Sequence, residues 1–152
     1  EPGSSTFIEL TAASVERVEL NGVTVDPAVV FNGNRIQLDN LQAENELHVE
    51  ATCVYSHTGE GLHRFVDPVD KEIYLYSQFE TYDAHRVFAC FDKPDLKARF
   101  TFTGYAPAHG RVMSNGAVEE GPTAPECRRR WRRLPSPSVR RRRRKTCRHC
   151  RR

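Results

Sequence analysis

The segment Glu46-Leu-His-Val-Glu-Ala-Thr-Cys-Val-Tyr55 alternates polar and apolar side chains with a period of two. A β-strand places successive side chains on opposite faces, whereas a helix brings apolar residues together every three or four positions. Every second residue from 47 to 55 would therefore share a packed face, and the polar residues between them would face water. This stretch predicts a half-buried strand.

Other stretches repeat the strand signal. Residues 73–76 form a bulky aliphatic and aromatic run, and Phe100 and Phe102 alternate with threonines. Asn21-Gly22 lies between two short apolar runs, and this dipeptide supplies the positive φ angles of a tight hairpin. Since no long stretch has a helical period with caps, the sequence predicts an all-β fold, either an antiparallel β-sandwich or a saddle-like curved sheet.

The segment 56–70 does not show this alternation. It contains Gly59 and Gly61, and glycines often mark turns and loops. We therefore predict a long loop here, of the kind that often carries function on a β scaffold.

Charge divides the 152 residues into two parts. Residues 1–126 hold 9 Lys and Arg against 20 Asp and Glu, a net charge of −11, whereas residues 127–152 hold 14 Lys and Arg and no acid, a net charge of +14. The second part has too few apolar residues to offset its chain entropy. We expect a β domain over residues 1–122 and a disordered, arginine-rich tail over residues 123–152.

The apolar residues and the cysteines indicate a compartment. No run of about 18 apolar residues is present, so we expect no membrane association. The five cysteines are an odd number and do not form a disulfide framework. Cys53 and Cys90 are predicted to be small buried side chains, and together these features favour a cytoplasmic protein.

Residues 78–102 carry four short motifs in a fixed order: Gln78-Phe-Glu80, Asp83-Ala-His-Arg86, Cys90-Phe-Asp-Lys-Pro-Asp95 and Leu96-Lys-Ala-Arg-Phe-Thr-Phe102. The series resembles the N-terminal domain of aminopeptidase N, from the gluzincin zinc aminopeptidases, nearest to the bacterial branch. The resemblance continues more loosely from about residue 7 to about residue 116. It implies a β-sandwich or saddle, in agreement with the alternation.

The resemblance implies a substrate-binding role for Gln78 and Glu80. Glu80 matches the family carboxylate that receives the α-ammonium of the peptide, and Gln78 matches a polar residue that lines the first substrate pocket. The implied role agrees with elementary chemistry, because only the charged amine distinguishes a chain terminus from an internal amide and a carboxylate binds it strongly. Residues i and i+2 of a strand point the same way, so we expect both side chains to face one cleft.

The zinc-binding part of the family pattern is missing. The family needs an H-E-x-x-H helix with a more distant Glu, and no two of the six histidines here are four residues apart. The family's Gly-x-Met-Glu-Asn loop is also absent. The resemblance thus implies a fragment of a metallo-aminopeptidase that is inactive alone and binds no zinc, with zinc in the parent enzyme. Its expected partners are a peptide N-terminus and the missing catalytic domain.

Several alternatives stay open at this point. Glu80 and Asp83 could form an ordinary solvated acidic pair, His63 and His85 are expected to be surface or loop side chains, and Arg86 is expected to pair with nearby carboxylates. The chain could instead be a non-catalytic β-sandwich whose arginine-rich tail binds nucleic acid through phosphates. The acidic body, however, would repel the phosphates. An adaptor without chemistry is a third alternative. Cys147-Arg-His-Cys150 is only half of a zinc motif.

The tail departs from the family pattern from Cys127 onward, where runs of arginine replace the expected strand sequence. Out-of-frame translation of GC-rich DNA yields Arg, Pro, Ser and Cys in such proportions, which suggests a frameshift near Glu126. We predict that another reading frame of the parent DNA past codon 126 encodes aliphatic and aromatic strands leading to H-E-x-x-H. The hypothesis is rejected if neither other frame does so.

Overall fold

A computed structural model of the chain describes residues 1–107, 110–120, 127–133 and 146–147. Strands dominate these residues, and the strand pairs described below are all antiparallel, so the all-β prediction is confirmed. The elements are β1 (Thr6–Glu9), β2 (Ser14–Leu20), β3 (Val23–Val25), α1 (Pro27–Val30), β4 (Arg35–Leu38), β5 (Leu47–Thr52), β6 (Gly61–Val66), β7 (Ile73–Gln78), a 3₁₀ turn (Ala84–Arg86), β8 (Phe100–Ala106), β9 (Ala117–Glu120), β10 (Cys127–Arg133) and β11 (Thr146–Cys147).

The chain divides into two compact units. Glu1–Leu96 forms the body of the first unit, and the second comprises the described residues between Lys97 and Thr146. No pattern in the sequence predicts a division between Leu96 and Lys97. The boundary predicted after residue 122 stays a prediction.

The first unit contains a small sandwich. Strands β1 and β4 pair with Ile8 opposite Ile36, while β2 pairs with β3 on one side and β5 on the other. Side chains from both sheets form one buried cluster, so the two sheets pack face to face. The cluster consists of Ile8, Leu10, Val18, Ile36, Leu38, Val49 and Ala51.

The alternation in the sequence explains how β5 packs. Val49 and Ala51 are buried, while the residues on either side of them are partly exposed, as the period of two predicts. Cys90 is also buried, and its backbone bridges Glu9 of β1. Cys53 is half-buried against the core, so the prediction of buried thiols is confirmed for Cys90 and holds in part for Cys53.

The Asn-Gly hairpin forms as predicted. Leu20 and Val23 pair across a two-residue turn, and Asn21 and Gly22 have φ angles of 54° and 81°. Positive φ at both central positions is the type I′ turn, whose twist matches that of the flanking strands. This turn sets the β2–β3 register.

The predicted loop over residues 56–70 is wrong for its central part, which is strand β6. Leu62, His63 and Arg64 are all half-buried, so β6 lacks the alternation of buried and exposed positions that reveals a strand in a sequence. Gly61 has a φ of 63°, which glycine adopts without strain. It is the first residue of β6 rather than part of a loop.

The second unit is a three-stranded sheet with the order β8-β10-β9. The register of β10 places Trp131 opposite Phe102 of β8, and a bulge between Arg130 and Trp131 interrupts the pairing with β9. β10 and β11 lie within the segment predicted to be a disordered tail. Strand pairing uses backbone groups that every non-proline residue carries, so arginine-rich sequence can form it. The rest of the predicted tail lies outside the described residues.

We predict that Ile36→Ala lowers the free energy of unfolding by about 2–5 kcal/mol, because it leaves a cavity between the two sheets. Ile36 is 0% exposed, whereas Val29 of α1 is 79% exposed. Val29→Ala is the matched control and should change stability by less than about 0.5 kcal/mol. Urea unfolding followed by circular dichroism measures both. Equal effects of the two substitutions would contradict this assignment of the core.

Candidate functional site

The predicted site residues lie at one end of the β6–β7 hairpin. Gln78 is the last residue of β7 and pairs with Gly61, the first residue of β6. Glu80 follows in a turn over residues 80–83, and both side chains are exposed. Because β7 ends at Gln78, the alternation of side chains along a strand does not extend to Glu80. The expectation that both side chains face one cleft therefore stays a prediction. The two residues are held at the same end of the hairpin by the turn instead.

Glu80 differs from its acidic neighbours in its contacts. Within the described part of the chain, no side chain forms a hydrogen bond or ion pair with its carboxylate, whereas Asp83 and Glu60 both pair with Arg86. The peptide bond between Glu80 and Thr81 is cis. Glu80 therefore presents an exposed negative charge without a partner among the described residues, whereas Asp83 is bound to Arg86. An exposed Glu80 agrees with the ammonium anchor and with an ordinary solvated acid, so that alternative stays open.

Arg86 holds this end of the hairpin. Its Nε donates to Asp83 Oδ1 at 2.7 Å, and its Nη2 lies 3.6 Å from Glu60 Oε2. Asp83 ends the turn and Glu60 precedes β6, so one guanidinium joins the two segments. The predicted pairing of Arg86 with carboxylates is confirmed for Asp83. Its second partner is Glu60, while Asp92 pairs with His85.

The stem of Arg86 packs on Gly61. A Cβ atom at Gly61 would lie 3.0 Å from Arg86 Cβ and 3.2 Å from its Cδ, which is closer than ordinary contact. Gly61 also has a positive φ, so a side chain there would be strained as well as crowded. Because paired residues of a sheet share a face, Arg86 lies on the face that carries Gln78.

A second set of contacts ties the turn to β1. The Tyr82 hydroxyl donates to the Glu9 carboxylate, and this hydrogen bond raises the pKa of Tyr82. Glu9 Oε2 also accepts the backbone N–H of Asp92 at 3.0 Å, and the backbone N–H of Thr11 donates to the His85 carbonyl at 2.8 Å. Since β1 belongs to the core, the position of residues 80–86 is set by the core.

His85 and Asp92 form the least exposed polar pair of this region. His85 Nδ1 lies 2.7 Å from Asp92 Oδ2, and the same oxygen accepts the backbone N–H of His85 at 3.0 Å. The side chains are 12% and 10% exposed. We expected a surface or loop side chain, and His85 lies in the connecting segment, in the 3₁₀ turn, but is packed rather than on the surface. His63 lies in β6, where its ring packs at a tilt against Tyr76 and its Nδ1 accepts the Gly59 N–H.

An open surface depression of about 480 Å³ lies beside the turn. Its lining is polar, and neither Gln78 nor Glu80 contributes to it. The predicted lining of a first substrate pocket by Gln78 therefore stays a prediction. The lining residues are Asn32, Asn34, Arg35, Tyr82 and His85.

The described residues do not fit a zinc site. Among them, no group of three or more His, Cys, Asp and Glu side chains lies close enough together to hold a metal ion. His85 is already bonded to Asp92, and His63 to the backbone of Gly59. The side chains of Cys147 and Cys150, the half motif of the tail, lie outside the described part of the chain.

Comparison with known proteins identifies the family. The Peptidase M1 N-terminal domain family matches residues 9–132, and the chain therefore belongs to it. The resemblance found in residues 78–102 is confirmed. The match also continues six residues beyond Glu126, into the arginine-rich segment that we placed outside the family pattern.

The curated relatives are aminopeptidases. The chain is 54% identical over 121 residues to aminopeptidase N of Streptomyces lividans, 29% identical over 114 residues to aminopeptidase N of Canis lupus familiaris, and 27% identical over 109 residues to leucine aminopeptidase 2 of Candida albicans. These alignments cover 79%, 75% and 69% of this chain. They cover only 14%, 11% and 17% of the relatives, so the chain corresponds to a small part of each.

The residues that the structure describes contain no helix that could span a membrane. None of their helices is long and apolar enough to cross a bilayer. The longest α-helix among them, α1, has four residues.

We predict that Arg86→Ala lowers the free energy of unfolding by about 1–2 kcal/mol, because it removes two exposed ion pairs and the stem packed on Gly61. Arg86→Lys keeps the charge and most of the stem but not the forked hydrogen bonding, and should cost less than half as much. Urea unfolding measures both variants. Amide NMR shifts of residues 78–83 should move in Arg86→Ala, and unchanged shifts would show that Arg86 does not position the turn.

Proposed function

We propose that this chain supplies the N-terminal substrate-binding wall of a zinc-dependent aminopeptidase that removes N-terminal residues from peptides. In this proposal Glu80 receives the α-ammonium of the peptide and Gln78 lines the first substrate pocket. The membership of the peptidase M1 N-terminal domain family supports the enzyme class. The observation that carries the residue assignment is the exposed Glu80 carboxylate, which has no partner among the described side chains.

The charges around Glu80 favour this role. Arg86 pairs with both Asp83 and Glu60, so Glu80 is the one of these three acids that has no cationic partner among the described residues. An ammonium group would form a charge-assisted hydrogen bond with it, without first breaking an internal ion pair. An internal peptide amide carries no charge and would gain much less. Glu80 would thus count residues from the N-terminus of the substrate.

The backbone gives the anchor a fixed position. The turn over residues 80–83 is held by Arg86 on one side and by the Tyr82–Glu9 hydrogen bond on the other. Holding the backbone of the turn in place reduces the conformational freedom that is lost on binding, and a pre-positioned group binds its ligand more tightly than a mobile one. Gln78, two residues earlier at the end of β7, adds a neutral amide that can donate and accept.

The catalytic groups belong elsewhere in this proposal. Because the family's H-E-x-x-H pattern does not occur in these 152 residues, the parent enzyme would hold zinc in a separate catalytic domain, and zinc would supply the activated water for hydrolysis there. The chain alone would then bind peptide termini without cleaving them. Its partners would be the peptide and that catalytic domain.

The proposal includes a cytoplasmic location, which the odd number of cysteines and the buried side chain of Cys90 support. Nucleic-acid binding through the arginine-rich tail is the weaker hypothesis. The family match covers the acidic body and extends into the tail, and each of the relatives named above is an aminopeptidase.

We predict that the 152-residue chain binds alanyl-alanine amide weakly and that N-acetylation of this ligand removes the binding. Glu80→Gln should weaken binding about fivefold, because it removes the charge while keeping the shape. The measurement is a titration of the ¹⁵N-labelled protein followed by amide NMR shifts. Glu44→Gln, which removes another exposed carboxylate far along the chain, is the matched control.

Two results would contradict the proposed role of Glu80. If the acetylated and free dipeptide amides bind equally, the ammonium is not what the chain recognises. If Glu80→Gln and Glu44→Gln weaken binding equally, the effect arises from net charge and Glu80 is not the anchor.

A further inference from the structure

The outer edge of β7 presents backbone groups that have no partner among the described residues. Asp67 N–H donates to the Glu72 carbonyl at 3.0 Å, next to the Val66–Ile73 pair, and this fixes which residues of the hairpin bond to each other. Bonded and non-bonded pairs alternate in an antiparallel ladder. The N–H and C=O groups of Ile73, Leu75 and Ser77 therefore point away from β6.

The outer edge of β6 is different. Its outward groups are partly satisfied, because Ser56 N–H donates to the Leu62 carbonyl and Arg64 N–H donates to the Ser56 carbonyl, each at 2.9 Å. No described residue makes a corresponding bond to Ile73, Leu75 or Ser77. The hairpin thus has one covered edge and one open edge, and the open edge belongs to the strand that ends at Gln78.

The composition of β7 also favours pairing with another chain. Its six residues, Ile-Tyr-Leu-Tyr-Ser-Gln, include no charge and no proline, which are the usual protections of an edge strand. Residues 73–76 are between 48% and 54% exposed, on both faces of the hairpin. A strand of this kind is a template for an added strand.

We propose that the outer edge of β7 binds the substrate peptide as an added antiparallel strand, with the peptide N-terminus at Glu80. This inference rests on the proposed function, because it uses Glu80 as the ammonium anchor. A peptide that starts at Glu80 and runs antiparallel to β7 passes Ser77, Leu75 and Ile73 in turn. Glu80 follows the last residue of β7 by two positions, at the end of the strand where the positive end of such a peptide would lie.

The size of the edge favours a peptide over a second copy of the chain. Six strand residues span about 20 Å, which matches a peptide of about six residues. A stable interface between two proteins buries at least about 1,200 Å², more than one short edge supplies. A carboxylate two residues beyond β7 also gives a peptide terminus a partner that a second copy of β7, which has no charge, would not use.

The direct test is the affinity of the 152-residue chain for amidated alanine peptides of two to eight residues with free N-termini. Affinity should rise roughly tenfold between the dipeptide and the hexapeptide and then stay level, because backbone hydrogen bonds are added only along β7. NMR titration gives the dissociation constants. An affinity independent of length would overturn the proposal.

N-methylation of the peptide tests the hydrogen bonds themselves. Two hexapeptides, methylated at the even or at the odd amides, differ only in which N–H groups are lost. In an added strand, alternate amides face β7, so one hexapeptide should bind roughly tenfold more weakly and the other almost normally. Equal effects of the two methylation patterns would overturn the proposal.

Substitution of Leu75 tests the same edge from the protein side. Its N–H points outward, so Leu75→Pro removes an outward donor without removing a bond to β6, while Leu75→Ala keeps the donor. Leu75→Pro should lose the length dependence and Leu75→Ala should retain it. If Leu75→Pro does not fold, as judged by its unfolding curve, the two methylated hexapeptides decide the question.

The outcomes separate this inference from the proposed function. If acetylation of the peptide abolishes binding but length and methylation pattern have no effect, Glu80 is an anchor and the β7 edge is not a peptide site. If acetylation has no effect either, both proposals fail. If the chain dimerises in sedimentation experiments, Leu75→Pro abolishes the dimer and no peptide binds, the occupant of the edge is a second copy and the proposal is wrong.

Discussion

The geometry of the candidate site depends on one guanidinium. Arg86 lies on Gly61, bonds Asp83 and pairs with Glu60, so it joins the turn after β7 to the beginning of β6. Only glycine leaves room for this contact, and only a forked donor reaches both carboxylates. The consequence is chemical as well as structural: two of three nearby acids share Arg86 as a partner, and the Glu80 carboxylate stays available for a ligand.

The same turn is tied to the sandwich core over a long distance in the sequence. Glu9 lies in β1 beside the buried Ile8, and it accepts hydrogen bonds from Tyr82 and from the backbone of Asp92. The core therefore positions the site in part through polar contacts, while Phe79, between Gln78 and Glu80, packs edge-on against Phe88. The surface of the β6–β7 hairpin stays exposed, while these contacts hold its end in place.

Much of the fold could be predicted from local patterns. The alternation in β5 and the Asn21-Gly22 turn both reflect short-range constraints, and both appear as predicted. Strand β6 could not be found this way, because it lacks an alternation of buried and exposed positions. The motif from Gln78 to Pro94 identified the family, but the Tyr82–Glu9 bond joins residues 73 positions apart and no local pattern reveals it. Strand geometry does not reach Glu80, because β7 ends two residues earlier, so the expectation that Gln78 and Glu80 face one cleft stays a prediction.

The exposure of β7 follows from the role proposed for it. A strand that packed one face into the core would show alternation, and a strand meant to stay in water would carry charges or proline. β7 does neither, and all six of its residues are exposed. Its neighbour β6 uses Ser56 to cover its outer edge, which shows that this fold can close an edge with a loop. An open, uncharged edge that leads to an uncompensated carboxylate is most simply explained by a ligand with an extended backbone and a positive end.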